Sequence, residues 1–275
     1  MKGHNRDPLL LTPGPLTTAP ETKEAMLHDW GSRDARFLAI DSEIRRRIAA
    51  ITGDARGFAC VPVQGSGTFA VEATLGTLIP RNGKALVLIN GAYGKRMAKM
   101  LDYLAIPYGV IETPEDVPPD AGAVDEALIA DPSITHVLAV HCETTSGILN
   151  PIEEIAYAVD RRSRGLIVDS MSGFGALPLN VKKVPVHAVV ASANKCLEGV
   201  PGFAFAVIRR AVLERCQGNA RSLSLDLHDQ WVNFGKPGQW RFTPPTHVIV
   251  ALSKALDLFD AEGGQEGRHR RYAAN

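Results

Sequence analysis

HAVVASANKCLEGVPGFAFAVI, residues 187–208, decides how the chain is read. Two apolar runs, HAVVAS (187–192) and FAFAVI (203–208), flank a short segment bearing glycine and proline. Each run is almost wholly apolar, as a strand covered on both faces must be. No helix fits between them, so the pair is antiparallel or irregular. A lysine, Lys195, sits in the connection. Two readings of it stand open. It is an exposed lysine whose stem lies over apolar neighbours, or a desolvated amine that forms a Schiff base.

Outward from this pair, apolar β-prone runs recur at ARGFACVPV (55–63), KALVLIN (84–90), THVLAVH (135–141) and GLIVDSM (165–171). Helical periodicity falls between many of them, at 41–52, 68–79, 95–104, 124–131 and 152–163, and again at 248–264. Strands alternating with helices predict an α/β fold, a mostly parallel but mixed sheet flanked by helices. Stretches 113–122 and 237–248 are rich in proline and read as surface passages.

Composition narrows the function. Lys+Arg and Asp+Glu each number 30, so no overall charge draws the chain to nucleic acid or to an anionic membrane. The basic run RHRRY (268–272) is short and reads as a solvated helix face. Four cysteines, with no CxxC pair and no histidine at ligand spacing, argue for reduced thiols and against a metal site. The apolar run near the N-terminus is too short for a signal peptide or a membrane span, so the expected compartment is the cytoplasm.

In an open α/β sheet, ligands bind beyond the carboxyl ends of the strands. After 55–63 comes QGSGTFAVEA, in which Gly65, Ser66, Gly67 and Thr68 lead into a helix. Such a turn suits a phosphate, although a plain helix cap has the same composition. After 135–141 comes HCETTSGILNP, a polar strand end that also fits a Ser/Thr turn. Asp169 ends the run at 165 and needs a cation or a capping role, because a buried carboxylate alone is costly. Lys195 follows the run at 187. Together these groups describe one ligand. It has a phosphate for the Gly-Ser-Gly-Thr turn, a basic nitrogen for Asp169 and an aldehyde for Lys195. Pyridoxal 5'-phosphate has all three.

At this point the sequence resembles the class V aminotransferases, a group of fold-type I pyridoxal phosphate enzymes. The resemblance rests on LLLTPGPLTT (9–18), DWGSRDARF (29–37), QGSGTFAVEA (64–73), NGAYGKR (90–96), HCETTSGILNP (141–151), DSMSGFGA (169–176) and SANKCLEGVPGF (192–203). TPGPL, the GSGT turn and the lysine segment are shared with alanine–glyoxylate and serine–pyruvate transaminases. DWGSRD and SANKCLEGVPG are similar to the wording of the members that use 2-aminoethylphosphonate and pyruvate. The resemblance implies that Lys195 binds the cofactor covalently and shuttles the substrate proton. It implies that Asp169 pairs with the ring nitrogen, and that Ser66, Gly67 and Thr68 hold the phosphate with help from Ser192. Tyr93 is implied to pack on the ring, and Thr145 to lie by the ring oxygen or face. Thr243 is implied to reach the phosphate of a neighbouring subunit, which requires a homodimer with shared sites.

The implied reaction converts 2-aminoethylphosphonate and pyruvate into phosphonoacetaldehyde and L-alanine. Both substrates are anions, and Arg33 and Arg36 are candidate partners by composition. The expected organisation is an N-terminal arm at the substrate mouth (1–20), a cofactor-binding large domain (21–250), and the start of a helix (251–275) leading to a small C-terminal domain that is absent or only begun. Members of the group carry in that domain an arginine that grips the substrate's acidic group. Arg268, Arg270 and Arg271 do not match its motif. Two alternatives to the phosphonate reaction stay open: a cofactor-binding remnant without turnover, and an alanine–glyoxylate or serine–pyruvate type of transaminase.

Overall fold

A computed structural model describes residues 7–236 and 238–275. Residues 1–6 of the expected N-terminal arm lie outside the described residues. The chain runs α1 (Pro20–Glu24), α2 (Ala35–Ile51), β1 (Phe58–Gln64), α3 (Gly67–Leu78), β2 (Lys84–Ile89), α4 (Ala92–Tyr103) and β3 (Tyr108–Glu112). It continues with α5 (Ala121–Ala130), β4 (Ile134–Val140), the short β5 (Cys142–Glu143) and β6 (Ile148–Leu149), α6 (Ile152–Arg161) and β7 (Gly165–Asp169). β8 (Ala188–Ser192), β9 (Phe203–Arg209), α7 (Arg210–Leu213), α8 (Leu227–Gly235), α9 (Thr246–Ala261) and α10 (Gly264–Ala274) complete it.

The seven-stranded sheet has the order β1-β9-β8-β7-β4-β2-β3. β3, β2, β4, β7 and β8 pair in parallel, while β9 pairs antiparallel with both β8 and β1. β9 is therefore the one reversed strand. An antiparallel return needs no crossover helix, which is why residues 193–202 suffice to join β8 to β9. All other strands of this sheet end at the edge where that connection lies. Its backbone is pinned there, with Gly65 donating to the Gly202 carbonyl at 3.0 Å and Ala193 to the Phe203 carbonyl at 2.9 Å.

The sheet is covered on both faces, and alternation along β9 sorts its side chains between them. Phe203, Phe205 and Val207 enter a core with α2, α6 and α9, through residues such as Ile44, Ile155 and Leu252. Ala204, Ala206 and Ile208 enter a second core with α3 and α4, through Leu75 and Leu101. The expected boundary at 250/251 falls inside α9, whose Ile249, Leu252, Leu256 and Phe259 all join the first core. Several elements carried no strong sequence signal, β3 and α8 among them. β3 is an edge strand with an incompletely buried, mixed pattern, and α8 is short.

The run RHRRY is not simply a solvated face. Arg268 is 1% exposed, although Arg270 and Arg271 on the same helix reach solvent. Its Nε donates to Glu262 at 2.7 Å, its Nη2 lies 3.6 Å from Glu198, and its Nη1 donates to the Cys196 carbonyl. Arg271 donates to Glu262 and Glu198 at 2.6 and 2.7 Å. The loop after Lys195 is thus tied to α10. A basic composition missed this because Glu262 closes the preceding helix and Glu198 comes from far back in the chain. Arg268→Ala leaves the Cys196 carbonyl without this donor and two partly buried carboxylates with one donor fewer, and is expected to lower the unfolding free energy by about 2–4 kcal/mol. Arg270→Ala, on the exposed side, is expected to change it by no more than about 0.5 kcal/mol. Urea unfolding of the two variants checks the contrast.

Candidate active site

The edge where the strands end holds a cavity of about 190 Å³. Ser66, Gly67 and Thr68 wall it at the start of α3, Tyr93 at the start of α4, Asp169 at the end of β7, Ser192 at the end of β8, and Lys195 beyond it. Seven of the sequence-derived candidates therefore meet around one space.

α3 begins without a side-chain cap, since Ser66 is extended and its hydroxyl bonds nothing in the first turn. The free N–H groups and dipole of that turn suit an anion. Gly67 is required by packing: a Cβ there would come within 2.3 Å of the Met171 sulfur. Asp169 is 5% exposed and accepts a hydrogen bond from the Met171 amide at 3.0 Å. Burial pushes its pKa up to about 6, opposed by that amide, and the nearby Glu143 adds to the rise. Lys195 is half-buried, and its Nζ donates to the Gly14 carbonyl at 3.2 Å. Burial moves its pKa below the ordinary lysine value, and Arg96 pushes the same way. The TPGP turn, distant in sequence, thus lies against the lysine. Gly14 has φ +144°, and a Cβ there would meet the Lys195 side chain at 2.4 Å.

Two candidates lie elsewhere. Thr145 is exposed and does not line the cavity. Its hydroxyl donates to Glu143 at 2.9 Å. Glu143 is fully buried and also accepts from the Tyr93 amide at 3.2 Å, so it ties the β5–β6 turn to the start of α4. Thr243 lines a neighbouring hollow with Phe69, Leu225 and Phe242. Arg33 belongs to another hollow with Trp240 and Thr243, and Arg36 stacks on Trp30 with its guanidinium carbon 5.0 Å from the ring centre.

The structure adds Val71, Arg96, Met97, Met100, Met171 and Asn194 to the wall. Arg96, Met97 and Met100 had a legible signal. They stand three, four and seven residues after Tyr93 on one helix, and so share its face. His141, next to this edge, is buried with its Nδ1 2.9 Å from the Ser170 hydroxyl. Burial drops its pKa to about 4, so it is neutral at pH 7.

The residues fit pyridoxal phosphate: an amine, a buried carboxylate and an uncapped helix start share one cavity of mixed character. The class-V aminotransferase family model matches residues 45–274. The chain belongs to that family. It is 54% identical, over its full length, to the 2-aminoethylphosphonate–pyruvate transaminase of Pseudomonas aeruginosa, covering 74% of that protein. It is 56% identical over 98% of its length to the enzyme of the same name from Rhizobium meliloti, covering 70% of it. Among solved structures it is similar to pyridoxamine–pyruvate aminotransferase from Mesorhizobium loti, with a TM-score of 0.85 and 27% identity over 95% of this chain and 67% of that one. The α/β fold expected from sequence is that of this group, and the chain is a pyridoxal phosphate-dependent aminotransferase by family.

A carboxyl that titrates near 6 when folded and near 3.8 when unfolded stabilises the fold below pH 4. That stability is lost as pH rises through 6. Asp169→Asn does not titrate. Without added cofactor it is expected to gain roughly 3 kcal/mol on the parent between pH 4 and pH 7. Urea midpoints measured across that range test this, and a constant difference between the two proteins would refute it.

Proposed function

We propose that this chain moves the amine of 2-aminoethylphosphonate to pyruvate, yielding phosphonoacetaldehyde and L-alanine. The observation that carries the proposal is the convergence of Lys195, Asp169 and the uncapped start of α3 on one cavity. The names of the relatives identical at more than half of the aligned positions support the choice of substrates.

Pyridoxal phosphate, when bound, supplies an aldehyde to carry the amine and a ring that accepts electrons as the substrate's carbon–hydrogen bond breaks. Lys195 supplies the amine that meets the aldehyde, and burial lowers its pKa from the ordinary lysine value, in the direction of the uncharged, nucleophilic form. The same Nζ would take and return the substrate proton. Asp169 would take the side of the ring nitrogen. A positive N–H there would draw its raised pKa back down, and the pair would favour a ring that accepts electrons. Ser66, Gly67, Thr68 and Ser192 take the phosphate. Tyr93, steadied by Glu143 through its own amide, would pack against the ring, and Thr145 enters as the residue that fixes Glu143. Val71, Met97, Met100 and Met171 exclude water.

The proposal includes a homodimer in which Thr243 of one copy approaches the phosphate end of the other. Thr243 is exposed, and it shares its hollow with the half-exposed Phe69 and Phe242, Phe69 being the residue after Thr68. The cytoplasm is the proposed compartment. No helix among the described residues is long and apolar enough to cross a membrane, and the four cysteines are free.

Purified chain with pyridoxal phosphate, 2-aminoethylphosphonate and pyruvate is expected to form L-alanine and phosphonoacetaldehyde in equal amounts. Lys195→Ala is expected to lose at least about a thousandfold in rate and to show no borohydride-fixed link to the cofactor. A faster reaction with alanine and glyoxylate than with the phosphonate pair would overturn the substrate assignment. A fixed link surviving in Lys195→Ala would overturn the role of the lysine.

A further inference from the structure

Three charged side chains wall the cavity: Lys195, Asp169 and Arg96. The first two have tasks in the transamination above, and Arg96 has none. Its neighbour Lys95 has Glu112 at 3.4 Å, whereas Arg96 is in ion-pair contact with no carboxylate among the described residues. Its guanidinium carbon lies 4.7 Å from the centre of the Tyr93 ring, and its Nη1 is 3.5 Å from the Thr68 hydroxyl. Arg96 therefore stands between Tyr93 and the first turn of α3, with most of its donors unused.

Charge balance gives those donors a partner. A phosphate monoester carries about −1.5 to −2 charges at pH 7. A helix start offers about +0.5, and the hydroxyls of Ser66, Thr68 and Ser192 offer none. Asp169 is balanced by the positive ring nitrogen proposed above, so the sum stands at about −1 to −1.5. Roughly one positive charge is missing, and a planar guanidinium that donates two parallel bonds to a phosphate supplies it. We propose that Arg96 is the cation that receives the phosphate of the cofactor and completes the cradle begun by α3. This rests on the reading of the cavity as a pyridoxal phosphate site. In the same position its charge reaches Asp169 and Lys195 and draws both pKa values downward. Stacking on Tyr93 keeps the guanidinium in place before the phosphate arrives.

The test compares pyridoxal 5'-phosphate with pyridoxal, which lacks the phosphate. Dissociation constants are measured by visible absorbance for the parent, Arg96→Gln and Arg96→Lys, without any amine donor. Arg96→Gln is expected to weaken the phosphate ester by about 10- to 100-fold and to change pyridoxal by less than about twofold. Arg96→Lys, which keeps the charge but not the fork, is expected to recover part of the loss. Equal weakening of both ligands would reduce Arg96 to a prop for Tyr93 and overturn the inference. Unchanged affinity for both ligands would overturn it as well. A parent that binds neither ligand would sink this inference and the proposed function together. A parent that binds with the expected contrast but makes no alanine would sink only the proposed function.

Discussion

The reversal of β9 is the constraint on which the rest of the molecule depends. Every other strand of the main sheet ends at one edge, and β9 begins there. A parallel continuation after β8 needs a crossover that carries the chain to the far edge. The antiparallel return instead keeps residues 193–202 at the edge where β1, β7 and β8 deliver Gln64, Asp169 and Ser192. Lys195 is held within reach of Asp169 by that topology. The alternating side chains of β9 make the reversal stable, because they fill both cores at once.

The price of that arrangement is electrostatic. A carboxyl at the end of a buried strand loses its water, and burial raises its pKa to about 6, so it gives up its proton less readily than a solvated carboxyl. An amine beside it is pushed the opposite way, toward its neutral form. Both shifts oppose folding at neutral pH, and both suit the chemistry: the carboxyl is poised for a positively charged partner and the amine for an electrophile. In the proposed reading, a cofactor that brings a basic nitrogen and an aldehyde would relieve both conditions in one binding event. A ligand that binds only the native state would add stability by mass action.

Around this pair, residues outside the cavity fix those that line it. Glu143 is fully buried and joins the β5–β6 turn to the first turn of α4, where the helix dipole favours its charge. It sets the position of Tyr93, and through the shared helix face that of Arg96. On the other side, Arg268 and Arg271 of α10 bind the Cys196 carbonyl and Glu198, just past Lys195. Glu198 has φ +55°, a conformation uncommon outside glycine. Its ion pairs with two arginines help hold that backbone. The lysine loop is clamped at both ends, by the sheet at Ala193 and by a helix some seventy residues further along the chain.

The alternation of apolar runs with helical periodicity was enough, by itself, to determine the α/β class, because a doubly covered strand leaves an unbroken apolar signature. The glycines and hydroxyls before α3, the acid ending β7 and the lysine after β8 were legible for a related reason. Polar groups at the ends of apolar strands stand out against them. What the sequence did not carry is decided by contacts between distant segments. Gly14 meeting Lys195, Arg268 meeting Cys196 and Glu143 meeting Tyr93 join residues that no local pattern links. β3 was missed because an edge strand is only half-covered and loses the apolar signature. Composition suggested a solvated face at 268–272, yet Arg268 is buried, because only the folded chain brings two glutamates to it. Local chemistry is written in residue types along the chain. Which charges are buried, and beside what, is set only when tertiary structure removes the water between them.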